Sequence, residues 1–177
     1  MSAATLSGAE FHRLPSEDGR KWELVNGELV PKSSPTPFHQ RIVKDVIYAF
    51  INHLSAHPNQ GESFIDIEFA LSPDHRVPPD ALVLGPEFAA RLDVRKTPVT
   101  GAPDLAVKII SSSECAGETQ AKLLSYLRFG TSEVWQVYPE QRTIVIHRQG
   151  RSETVTASAL TSPLLPGLSL EVDRVFA

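Results

Sequence analysis

Residues 101–126, GAPDLAVKIISSSECAGETQAKLLSY, decide how the rest of the chain is read. Residues 104–110 form a short apolar run, the pattern of a buried strand; a serine-rich turn follows, then helical spacing over about 114–129 that closes at Gly130. Successive strand side chains point to opposite faces. Leu105, Val107 and Ile109 therefore share one face, and Asp104, Ala106, Lys108 and Ile110 the other. An ammonium inside such a strand is costly unless it has a partner or a task. Glu118 and Lys122, at i and i+4, project from one face of the helix. The polar groups of strand and helix thus converge, and this is the candidate site.

Upstream, Ser7 and Glu10 have capping-box spacing and predict a short helix over 7–14. Asn26-Gly27 between two apolar-bearing runs predicts a hairpin over 22–30, followed by a Pro- and Ser-rich connector over 31–37. Apolar residues from Phe38 through Ile42, Val46 and Phe50 to Leu54 recur at helical steps and predict a helix over about 38–57. Residues 63–71 alternate, with Ile65, Ile67, Phe69 and Leu71 on one face and Asp66 and Glu68 on the other, and predict one strand. A turn at 72–76 leads into a second, antiparallel strand over 77–84, with Asp80 near its start, and 87–93 predicts a helical turn. Downstream, 133–138 and 143–148 predict a hairpin, and two weaker strands lie around Val155 and Leu170. The order implies a mixed α/β (α+β) fold, a sheet between helices, in one domain spanning 1–177.

The formal charge of -4 argues against coating nucleic acid by phosphate neutralisation alone, though not against a local basic cleft. Cys115 is the single cysteine, so an intramolecular disulfide and a cysteine zinc cluster are excluded, and a reducing compartment is expected. No signal-peptide pattern and no run near the ~20 apolar residues of a membrane span occurs, so a soluble, cytoplasmic protein is expected. His12, His53, His57, His75 and His147 show no pairwise metal spacing and are expected at the surface, whereas Trp22 and Trp135 are expected in the core.

The series WELVNGELV, a helix opened by His39-Gln40, PPDALVL, GAPDLAVKIIS, a helix carrying K-x-x-x-Y, and EVWQVYPEQRTIVIHR resembles the Uma-type family. These are bacterial endonucleases of the PD-(D/E)xK, restriction-endonuclease-like superfamily, and the resemblance covers roughly residues 20–170. It implies a mixed sheet flanked by helices, with extra hairpins and the active site at one sheet edge. It also implies a Mg²⁺- or Mn²⁺-dependent endonuclease acting on DNA, often as a homodimer. Carried onto this chain, the metal-binding Asp is Asp80, the lysine displaced from strand to helix is Lys122, and an acid one turn before it is Glu118. The Glu of the first hairpin is matched to Glu28, and His39 stands as a substrate-binding candidate.

The family's second acid falls on Lys108, and this is the main departure. Mg²⁺ and Mn²⁺ are hard cations that take oxygen ligands, so an ammonium there removes a ligand and adds repulsion. Glu118, Glu68 or Glu28 are the acids expected to substitute. Lys108 itself is open to two readings. Either it stabilises developing charge as a catalytic group, or its buried stem carries an ammonium paired with Asp80, Glu68 or Glu118 in place of the metal. The first reading gives a divalent-metal-dependent endonuclease. The second gives a degenerate member of the fold that binds nucleic acid or serves in assembly. An unrelated α/β protein is the third alternative.

Overall fold

The computed structural model describes residues 5–14, 21–32, 34–112, 114–156 and 158–177; Ser33 of the connector and Ser113 of the serine-rich turn lie outside them. The chain opens with the helical turn α1 (Gly8–Phe11), which carries the expected capping box between Ser7 and Glu10. The hairpin β1 (Lys21–Val25) and β2 (Glu28–Lys32) follows, with Asn26 and Gly27 both at positive φ. Two left-handed residues give the primed turn whose twist matches the flanking strands.

Helix α2 (Pro37–Ala56) begins at an N-cap, Thr36, whose hydroxyl accepts from the His39 N–H, with Pro37 in the first turn. Proline lacks only a donor that a first turn leaves unpaired in any case. Next come β3 (Glu62–Ile65), β4 (Phe69–Ser72), β5 (His75–Val77), β6 (Ala81–Leu84), α3 (Pro86–Ala89) and β7 (Val99–Thr100). The stretch 101–126 then folds as read, into β8 (Leu105–Ile109) and α4 (Ala116–Arg128). The chain closes with β9 (Glu133–Tyr138), β10 (Thr143–Arg148), β11 (Arg151–Val155), β12 (Ala159–Ser162), β13 (Leu165–Glu171) and α5 (Val172–Val175).

A six-stranded sheet, β11-β10-β9-β8-β6-β3, forms the centre. Only β8 and β9 pair in parallel within it, which makes β8-α4-β9 a crossover unit. On one face Ile42, Val46, Phe50 and Leu54 of α2 pack with Val83, Leu105, Val107, Ile109 and Trp135 of the sheet, and the β12–β13 hairpin extends that core. On the other face Leu123 and Tyr126 of α4 pack with Leu82, Leu84, Ala106 and Val134. Val25, Phe69, Leu71 and Val77 join them from a second, five-stranded sheet, β2-β1-β5-β4-β7. β6 and β8 are buried along their whole length, so both faces of the central strands are covered.

Several expectations are corrected. Residues 63–71 are not one strand: Asp66 takes φ 49, and β3 and β4 enter different sheets on either side of it. That break leaves Ile65 52% exposed. Residues 77–84 are likewise divided between β5 and β6, one in each sheet. Trp22 is at the surface, whereas Trp135 is fully buried. His75 is buried, held between the Asn26 N–H at Nε2 and the Ser72 hydroxyl at Nδ1, against the Phe129 ring. No helix among the described residues is long and apolar enough to cross a membrane.

Candidate functional site

Three elements and two connecting segments bring charge to one cleft of about 530 Å³. β8 supplies Lys108 on the face it shares with Ala106, the α4 side of the sheet. Asp80 sits just before β6, the antiparallel neighbour of β8, and its backbone N–H donates to the Val107 carbonyl. α4 supplies Lys122 from the same face as Tyr126. β1 supplies Glu23, which no reading of local pattern had singled out, and the loop before α4 supplies Glu114.

These side chains form a ladder of alternating charge. Lys108 Nζ lies 3.4 Å from Asp80 Oδ1 and 3.9 Å from Glu23 Oε1. Lys122 Nζ lies 2.6 Å from Glu23 Oε2 and 3.0 Å from Glu114 Oε1. The other Glu114 oxygen accepts from the Ser111 N–H, and Asp80 Oδ2 accepts from the Ile109 N–H at 2.7 Å. His39, in the first turn of α2, places Nε2 3.7 Å from Asp80 Oδ2. Glu23, Asp80, Lys108 and Lys122 are all buried, so solvent screens these contacts little.

Burial alone would raise the Asp80 carboxyl, but the Lys108 charge, the nearby His39 ring and the Ile109 N–H outweigh it and hold the group at about 2. For Lys108, burial favours the neutral amine, yet the charges of Asp80, Glu23 and Glu114 overcome it and raise the ammonium above its ordinary value. Both partners are therefore charged across the physiological range, each because of the other. Tyr126 is held protonated by burial and by the charges of Glu23 and Asp80.

Asp80, Lys108, Lys122 and His39 all line the cleft. The acids expected to substitute for the missing carboxylate do not. Glu28 is exposed at the start of β2, opposite Val25 in the hairpin register, and is not part of the wall. Glu68 lies beyond the break at Asp66 and faces His12 at 3.3 Å. Glu118 is outside the wall too, and Lys122 pairs with Glu23 and Glu114 rather than with this i−4 neighbour. Lys108 has the paired ammonium of one expectation, with Asp80 as its partner but Glu23 in place of Glu68 or Glu118.

A divalent metal ion does not fit these residues as arranged. Asp80, Glu23 and Glu114 are the hard oxygen donors such an ion would need. The Lys108 and Lys122 ammoniums already stand between them. Among the described residues, no group of three or more His, Cys, Asp or Glu is placed to hold a metal ion.

A family model described as "Putative restriction endonuclease", Uma2, matches residues 9–173. The solved structure of a "putative nuclease belonging to DUF820" from Anabaena variabilis ATCC 29413 superposes with a TM-score of 0.81. It is 22% identical, over 98% of this chain and 98% of that one, and it fixes the fold as the mixed α/β arrangement expected. No curated protein matches the chain.

Proposed function

Because the chain belongs to the Uma2 family, we propose that it is a nuclease scaffold for DNA in which a lysine ammonium takes the place of the catalytic metal. Family and fold support the nuclease scaffold and DNA as its ligand class. One observation carries the rest: the Lys108 ammonium lies between Asp80 Oδ1 and Glu23 Oε1, at 3.4 and 3.9 Å. A dication in nucleases of this kind polarises the phosphodiester and lowers the pKa of an attacking water. An ammonium supplies one charge and no coordination site, so it cannot generate that nucleophile. It does offset the negative charge of the buried Asp80 and Glu23 carboxylates. The chain is then a DNA-binding module that does not hydrolyse.

A second reading, a divalent-metal-dependent endonuclease acting on DNA, is favoured by a different observation. Asp80, Glu23 and Glu114 line one cleft, and neither Glu23 oxygen accepts an aligned hydrogen bond although the Lys122 ammonium is 2.6 Å away. Nicking of supercoiled plasmid with Mn²⁺ separates the two. The wild type is expected to be silent and Lys108→Glu to nick. Wild-type nicking abolished by Asp80→Ala would establish the second reading and end the first.

A further inference from the structure

We propose that the mouth of the cleft is a stacking site for an unpaired nucleobase, with Phe38 as its platform. This rests on the DNA-binding reading and states which form of DNA the cleft takes. A volume of about 530 Å³ has the size of a small-ligand pocket and leaves room inside for a single nucleotide. Two large apolar side chains of its wall are left in water, Phe38 at 38% exposure and Ile65 at 52%. Phe38 stands in the first turn of α2, a rigid twenty-residue helix, so its ring is held in place rather than carried on a loop.

The charges of the wall point the same way. Among the described residues it carries five carboxylates against three ammonium groups, and each ammonium is already ion-paired within the fold, Lys32 with Asp66 and the other two in the ladder. Of the five, Glu140 lies at the exposed rim. Such a wall offers backbone phosphates little, and a duplex presents mainly phosphates. A base has a π-face that stacks on an aromatic ring without any charge requirement. The exposed Gln40 amide and Ser112 hydroxyl, also in the wall, supply donors and acceptors for the edge of that base. The predicted preference is therefore for single-stranded DNA, or for a flap or unpaired base within a duplex.

Fluorescence anisotropy tests it, using a short labelled single-stranded oligodeoxynucleotide and the same sequence as a duplex. Wild type, Phe38→Ala, Phe38→Leu and Phe38→Tyr are compared, with thermal unfolding as the check on folding. The wild type is expected to prefer the single strand with a shallow salt dependence, since few phosphates are neutralised. Phe38→Ala is expected to weaken single-strand binding about five- to 100-fold, Phe38→Leu nearly as much, and Phe38→Tyr to restore it. Binding that ignores all three substitutions, or that favours the duplex, would overturn the stacking site and leave the DNA-binding reading in place. A wild type that binds neither form would overturn both.

Discussion

Lys122 Nζ lies 2.6 Å from Glu23 Oε2, joining the first strand of one sheet to the helix that crosses over the other. Glu23 is 1% exposed and meets a second ammonium, Lys108, at its other oxygen. Removing one member of a buried pair leaves an uncompensated charge, which costs far more than the pair contributes. Glu23→Gln should therefore lower unfolding stability by about 3–5 kcal/mol, measured by urea titration. A loss of about 1 kcal/mol or less, the range of an exposed pair, would mean the ladder is solvated.

Lys108→Glu places three carboxylates where two now flank an ammonium. Without metal the variant should be less stable than the wild type, because like charges then crowd a buried site. With Mn²⁺ its melting temperature should rise as ligand binding to the native state requires, while the wild type should not respond. A wild-type melting temperature that climbs with Mn²⁺ would contradict the claim that Lys108 takes the place of the ion.

The Asp80 carboxyl, at about 2, sits below its ordinary value of 3.8. A lowered carboxyl contributes stability that is complete above the unfolded value and lost as pH falls through the folded one. The window is thus about pH 4 down to pH 2, and the contribution about 2 kcal/mol. Asp80→Asn should flatten the pH–stability curve over that window; an unchanged slope would assign the acid sensitivity to other carboxyls. Lys108 acts at the opposite limit: its raised value keeps its contribution intact below the ordinary lysine range and removes it only in strong alkali.

Glu133, 1% exposed at the start of β9, accepts from the Trp135 indole N–H at 2.5 Å and the Arg148 guanidinium at 2.9 Å. Arg148→Ala would leave that buried carboxylate to the indole alone. A loss of about 1–3 kcal/mol is expected, with a change in Trp135 fluorescence as its local environment alters. Unchanged stability and emission would show that Arg148 is a surface contact only.

Much of the fold was legible because its signals are local. The Asn26-Gly27 turn, the apolar stripe of α2, the capping box at Ser7 and the strand-turn-helix of 101–126 each depend on neighbours within a few residues. The alternation of β8 also placed Lys108 and Ala106 on one face before any contact was known. Residues 63–71 misled for the same reason. Their alternation is real, but the left-handed turn at Asp66 sends its two halves to different sheets, which period alone does not encode.

What the sequence determined by itself is most of the elements and the burial of an ammonium on β8, while its resemblance to a family offered Asp80, Lys122 and His39 as site candidates. What only the tertiary structure decided is which acids meet them. The first hairpin offers both Glu23 and Glu28, and its register sets Glu23 opposite Val30 and Glu28 opposite Val25. Both glutamates therefore project from one face of the hairpin, and which of them enters the cleft depends on the packing of β1 beside β5, a contact between residues far apart in the chain. Lys122 likewise has Glu118 at helical spacing, yet it reaches Glu23 and Glu114 instead. Buried charges take the partners that long-range packing brings within a few ångströms, because the low-dielectric interior leaves an unpaired charge no inexpensive alternative.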